Sequence, residues 1–241
     1  MDIKALVDRY VAVWNERDVE ARRRRIAELW PADGRTCYRE LDSRGHAAIE
    51  QRVASANETW VRDGGFVFRP RSVAGHRGAV KLVWEMLPAG GGAIAAAGLS
   101  VLVLDDAGLI QEDCQFSEPP GAAAPEVERL VSRYVDFWNQ TDDGARLGRL
   151  PALWTPDTVF TTETGTRHGH AGIEAEWQAA YDVCGAKGFA FRSAGLTDGH
   201  HDMIRMSWEM VPEGGGPAAA TGFALLLLGE DGRIRADYQI A

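Results

Sequence analysis

Two carboxylates, each with an amide two residues on, stand near the end of each half of the chain: Asp113 with Gln115, and Asp237 with Gln239. The surrounding residues read as strands, and side chains alternate along a strand, so each Asp shares a face with its Gln. If Ile110 and Ile234 turn to one side, Asp113, Gln115, Asp237 and Gln239 turn to the other. A carboxylate on a strand face that lines an apolar cavity loses hydration, which disfavours its charged form and lifts its pKa above about 3.9. It can then give or take a proton near neutral pH. That suits proton abstraction beside a carbonyl, protonation of a leaving oxygen, or opening of an epoxide by an internal nucleophile. Gln115 or Gln239 could orient a substrate carbonyl.

Other chemistries find less support. His200-His201-Asp202 invites a metal reading, but neighbours in a strand point to opposite faces, and the matching stretch of the first half carries His76 alone. No His-x-His or Glu-x-x-His pattern recurs, so neither a metal nor a cofactor is expected. Gly90-Gly91-Gly92 reads as a turn between strands rather than a phosphate loop, and no Ser or Cys nucleophile with a placed His is visible. His46 and His170 open a helix, where an imidazole usually serves local structure.

The elements that must position these groups occur twice, at a constant offset of 124 residues. Leu6-Val7, Arg9-Tyr10-Val11 and Trp14-Asn15 return as Leu130-Val131, Arg133-Tyr134-Val135 and Trp138-Asn139. Gly45-His46-Ala47 with Ile49-Glu50 returns as Gly169-His170-Ala171 with Ile173-Glu174, and Trp84-Glu85-Met86 as Trp208-Glu209-Met210. Two modules are therefore expected, 1–117 and 126–241, joined by a proline-containing spacer at 118–125. Leu6, Tyr10, Val13 and Trp14 fall on one helical face, as do Leu130, Tyr134, Phe137 and Trp138. A second helix spans about 18–30, a short strand 35–40 and a third helix 47–61, with its counterpart at 171–184. The rest reads as strands at 65–70, 79–87, 93–104 and 109–116. Three helices followed by a meander of long strands is an α+β pattern.

Composition sets the outer bounds. The chain has 241 residues, is 45% hydrophobic and 25% charged, and carries a net charge of -9, which disfavours nucleic acid or an anionic membrane as the main partner. The run Arg22 to Arg25 reads as a solvated helix face. Three cysteines make no disulfide framework, and Asp2-Ile3-Lys4 enters an amphipathic helix without a signal-peptide core, so a cytoplasmic protein is expected. Lysine occurs only at 4, 81 and 187 while arginine abounds, a usage associated with GC-rich bacterial genomes.

Tyr-Val-x-x-Trp-Asn in the first helix, Leu-Trp with Asp three residues later, Gly-His-Ala-x-Ile-Glu, Trp-Glu-Met and a last Asp-x-Gly-x-Ile strand occur together and in this order. In these motifs the chain resembles the nuclear transport factor 2-like superfamily, in its SnoaL-like polyketide cyclase branch, over nearly its whole length and twice. The resemblance implies a curved, mostly antiparallel sheet wrapped around helices into a cone with a largely apolar pocket. Functions on this fold run from ketosteroid isomerases and epoxide hydrolases to cyclases, dehydratases and binding or assembly modules.

Carried over residue by residue, the isomerase pattern puts an enolate-stabilising hydroxyl on Tyr10 and Tyr134. It finds Tyr38 and Thr162 in place of the catalytic base, and Ser100 and Ala224 in place of the second acidic donor. Glu40 and Glu163 lie near the base position. The cyclase pattern fits better, because its acid/base Asp on the last strand matches Asp113 and Asp237. The resemblance then makes Trp14, Trp84, Val80 and Leu82, and Trp138, Trp177, Trp208, Ile204 and Met206, the walls of pockets for a small apolar or polycyclic ligand.

These readings lead to a cofactor-free acid/base cyclase or isomerase acting on a small apolar, polyketide-like substrate in specialised metabolism. A ligand-binding or assembly module is the rival. Epoxide hydrolysis would need an Asp-Arg-Asp relay that the sequence does not place. The modules are expected to form an internal pseudo-dimer, sheet to sheet, with Glu85 and Glu209 near the contact, as a monomer or further dimerised. The first pocket, with more polar groups, is expected to be the working one.

Overall fold

The structure, a computed structural model, describes residues 2–76 and 78–240. The chain divides into two compact units, Met1–Pro119 and Pro120–Ala241, and residues 119–124 connect the last strand of one to the first helix of the other.

In the first unit α1 (Ile3–Asn15) starts on Asp2, whose carboxylate accepts from the Ala5 N–H, and α2 (Val19–Leu29) starts on Asp18 in the same way. The strands β1 (Arg35–Tyr38) and β2 (Leu41–Arg44) form a hairpin that leads into α3 (Gly45–Ala56). The third helix was expected to run unbroken to Val61. Instead the chain widens after Ala56 into a π-helical segment, Asn57–Asp63, where Asn57 turns inward and donates to the Trp14 carbonyl at 3.0 Å. Four long strands follow: β3 (Phe66–Gly75), β4 (Ala79–Pro88), β5 (Ala96–Leu104) and β6 (Ile110–Glu118).

The second unit repeats the order with α4 (Pro125–Trp138), α5 (Asp143–Leu153), β7 (Trp154–Thr162), β8 (Gly165–His168) and α6 (Gly169–Val183). It continues with β9 (Phe189–His200), β10 (Met203–Pro212), β11 (Ala220–Leu228) and β12 (Ile234–Ile240).

Each unit holds one open six-stranded sheet, in the order β2-β1-β6-β5-β4-β3 and β8-β7-β12-β11-β10-β9. The sheets are mixed: β1 runs parallel to β6, and β7 to β12, while every other pairing is antiparallel. The core of the first unit joins Leu6, Tyr10, Val13 and Trp14 of α1 to Ile26 of α2, Ile49 and Val53 of α3, and Val80, Leu82 and Leu102 of the sheet. Val80 and Leu82, and Ile204 and Met206 in the second unit, expected as pocket walls, are instead buried in these cores and are absent from the lining of the two cavities described below.

Two further expectations are corrected. A bulge at Gln111 puts Val103 opposite Glu112 but Leu104 opposite Ile110, and Arg235 makes the same bulge in β12. The extra residue resets the alternation, so Ile110 and Asp113 both face the core, as do Ile234 and Asp237. Arg22 is not solvated. It is 5% exposed, pairs with Glu50 at 2.9 Å and donates to the Glu16 carbonyl.

The repeated histidines hold the hairpin-to-helix joint: His46 Nε2 lies 2.8 Å from the Trp30 carbonyl and His170 Nε2 3.1 Å from that of Trp154. Gly98 and Gly222 permit a close approach. A Cβ at either would sit 2.2 Å from Cζ2 of the tryptophan across the strand pair, Trp84 or Trp208.

Candidate active site

The parallel register of β1 on β6 sets Thr36 beside Asp113 and Tyr38 beside Gln115, all facing the helices. From above, the first turns of α1 deliver Tyr10, whose hydroxyl donates to Asp113 Oδ2 at 2.9 Å and lies 3.1 Å from Ser100 Oγ. Gln115 Nε2 donates both to Asp113 Oδ2 at 2.8 Å and to the Tyr10 oxygen at 3.1 Å, and Thr36 Oγ1 adds a contact to Oδ2 at 3.3 Å. Asp113 Oδ1, buried, has no hydrogen-bond partner among the described residues.

The second unit keeps the centre of this network and loses its edge. Tyr134 donates to Asp237 Oδ2 at 2.9 Å, and Gln239 donates to Asp237 Oδ1 and to the Tyr134 oxygen. Ala224 stands where Ser100 does, and Phe160 where Thr36 does.

Burial dominates the titration of both carboxyls. It pushes Asp113 up to about 6, against hydrogen bonds from Gln115, Tyr10 and Thr36 and the nearby charge of Arg52. Asp237 has only Gln239 and Tyr134 to oppose burial, and it rises to about 7. Burial, reinforced by the adjacent carboxylate, drives Tyr10 and Tyr134 well above the usual phenol value, so both remain protonated donors.

Above the first network lies a cavity of about 310 Å³, walled by Trp14, Tyr38, Trp60, Phe66, Phe68 and Trp84, with Met86 beside them. Tyr10 and Gln115 form its polar floor. Asp113 does not reach the surface of the cavity: it is fully buried one layer behind Tyr10 and Gln115, as Ser100 is. A second cavity, of about 370 Å³, sits over Tyr134 and Gln239 and is walled by Trp138, Phe160, Phe191, Trp208 and Met210. Trp208 donates to Gln239 Oε1 at 2.9 Å. Trp177 does not belong to that wall. It is buried, stacked on Tyr181 at 5.0 Å, with the Arg146 guanidinium 3.5 Å from its ring centre. Of the two glutamates near the isomerase base position, Glu40 is exposed in the β1–β2 turn and Glu163 lines the second cavity.

Sequence reasoning missed Arg52, among the described residues the only charged one lining the first cavity. The signal was present: Arg52 lies within the Ile49, Val53, Ala56 stripe that α3 buries, where a charge needs a reason. At the matching place on α6 stands Glu176, which lines the second cavity and pairs with Arg167 at 2.8 Å. Among the described residues no group of three or more His, Cys, Asp or Glu is placed to hold a metal ion, and no helix is long and apolar enough to cross a membrane.

Residues 131–236 match a family profile described as the SnoaL-like domain. Among solved structures, the chain is similar to a "putative isomerase of the SnoaL-like family" from Agrobacterium tumefaciens, at 26% identity and TM-score 0.45 over 48% of this chain and 97% of that one. It is similar to a "putative polyketide cyclase" from Sinorhizobium meliloti at 16% identity and TM-score 0.38, over 48% and 96%. A SnoaL-like protein of unknown function from Burkholderia thailandensis aligns at 13% identity and TM-score 0.39, over 50% and 99%. No curated protein matches the chain.

Proposed function

We propose that the chain, two α+β units of which the second matches the SnoaL-like domain over residues 131–236, is a tandem of the nuclear transport factor 2-like type that acts as an acid/base isomerase or cyclase. Its substrate in this reading is a small, largely apolar carbonyl compound of the polyketide kind, and the first cavity is the working one. The observation that carries the reading is the buried Tyr-Asp pair under an aromatic cavity, present in both units, with carboxyls that titrate near neutrality.

Because Tyr10 lines the cavity and Asp113 lies behind it, Tyr10 is the group that touches substrate and Asp113 acts through it. With Asp113 ionised, the Tyr10 oxygen accepts a proton from the substrate as its own proton passes to Asp113. With Asp113 protonated, the same two transfers run in reverse and return a proton to the substrate. Neither direction requires a free tyrosinate, which the raised Tyr10 pKa would make costly. Gln115 holds both partners in register through its two N–H bonds. The apolar walls keep competing water away from the exchange.

The test is deuterium incorporation next to the carbonyl of 2-tetralone in heavy water, followed by proton NMR with the full chain. The reading expects accelerated exchange that falls by about 10² to 10⁴ in the double variant Asp113→Asn with Asp237→Asn. Full retention in that variant would refute it. A second reading, a protein that binds a ligand without turning it over, draws on the complete burial of both carboxyls. It would be supported if 2-tetralone bound tightly and exchanged no faster than in buffer.

A further inference from the structure

Arg52, half-buried, differs from the buried arginines in facing no carboxylate. Arg22, Arg35 and Arg146 each have one within hydrogen-bonding reach, and Arg205 has Asp198 at 3.7 Å. Arg52 forms no ion pair among the described residues. Its one hydrogen bond, from Nη2 to Gln115 Oε1, is long at 3.4 Å, and its Nε is buried without a partner. What holds the guanidinium is aromatic: its centre lies 5.1 Å from the Trp14 ring and 5.5 Å from the Tyr38 ring. A planar fork of five donors is thus fixed at the edge of an apolar cavity with most of its hydrogen-bonding capacity unspent.

We propose that the first cavity is a binding site for an aromatic or polycyclic ligand bearing one carboxylate, the carboxylate seated on Arg52 and the rings between the tryptophan and phenylalanine walls. Among the described residues a single cation lines the cavity, which matches a monoanion better than a doubly charged phosphate ester. The volume of about 310 Å³ lies at the small end of small-molecule sites, roughly 300–1,000 Å³, and suits a bicyclic acid.

The second cavity is the electrostatic opposite. Glu176, paired with Arg167, occupies the position of Arg52, and Glu163 joins it, so the same anion would meet carboxylates and no unpaired cation among the described lining residues. The two units therefore differ in ligand class, and only the first takes the carboxylate. This inference names the substrate class of the proposed working cavity and rests on that reading for the bound molecule being a substrate.

The test compares 2-naphthoate with its neutral counterpart 2-naphthamide on the full chain, by calorimetry and tryptophan fluorescence. The expected result is one naphthoate site per chain, with naphthoate bound about tenfold to a hundredfold more tightly than the amide. In Arg52→Gln that preference should shrink to within about twofold, while Arg52→Lys, which keeps the charge and loses the fork, should retain part of it. The wild-type ratio is decisive even if a variant does not fold. Equal binding of the two probes, binding of neither at millimolar concentration, two equal naphthoate sites, or an undiminished preference in a folded Arg52→Gln would each overturn the proposal. Failure of the acid/base reading looks different: no exchange on 2-tetralone, with the naphthoate preference intact.

Discussion

Replacing Asp113 by Asn tests the buried carboxyl through stability, independently of any substrate. In the folded chain Asp113 titrates at about 6 against an ordinary value of 3.8, so the folded state holds this proton more tightly than the unfolded chain does. A raised pKa contributes stability that is fully present below the unfolded value and is lost as pH rises through the folded one. At about 1.4 kcal/mol for each tenfold change in proton affinity, the loss reaches about 3 kcal/mol, most of it between pH 4 and pH 7. Asn does not titrate, so its curve lacks this component. It also places a buried N–H₂ where Oδ1 has no partner, an offset of about 1–3 kcal/mol against the variant that does not change with pH.

The stability difference between variant and wild type should therefore move by about 2 kcal/mol or more in favour of Asn from pH 4 to pH 8, while all other titrating groups cancel. Urea unfolding at each pH gives the difference, with the first unit followed through Cys37 and Cys114, both fully buried, by a dithiodipyridine reagent that reacts with thiols in acid. A difference that stays constant within about 0.5 kcal/mol over this range would refute the desolvation argument. Asp237→Asn should give a larger change, about 4 kcal/mol in full and extending toward pH 8, because the folded value there is about 7.

Three further outcomes are expected. Tyr10→Phe with Tyr134→Phe removes the hydroxyls of the two cavity-lining tyrosines, and exchange on 2-tetralone should fall by at least about a hundredfold if they relay the proton; a loss under about threefold would assign them to packing. Gly98→Ala puts a Cβ 2.2 Å from the Trp84 ring, so the indole must swing into the first cavity, and 2-naphthamide should bind at least about tenfold more weakly while the second cavity is unaffected. Arg22→Met leaves Glu50 without its cation in a largely buried setting and should cost about 3 kcal/mol in urea unfolding, in contrast to a near-neutral effect for the exposed Arg23→Met.

The architecture was legible in the sequence because repetition and periodicity are properties of the chain itself. An offset of 124 residues divides it, the spacing of Leu6, Tyr10, Val13 and Trp14 marks the buried face of α1, and the turn residues punctuate the strands. The Asp-x-Gln spacing put each carboxyl and amide on one strand face, where Asp113 and Gln115 bond to each other. Periodicity reports which way a side chain points, and only while the period holds. The bulges at Gln111 and Arg235 broke it and brought Ile110 and Ile234 to the inner face.

Depth and partnership were decided by tertiary structure. That Asp113 lies behind Tyr10 depends on how closely α1 settles on β6, and that Trp177 stacks on Tyr181 rather than walling a cavity depends on where Arg146 reaches it. Arg52 and Glu176 show the same division most clearly. The sequence alone determined that opposite charges occupy equivalent places on two helices; what each charge faces was set by neighbours distant in the chain, because the energy of a buried charge depends on the groups packed around it.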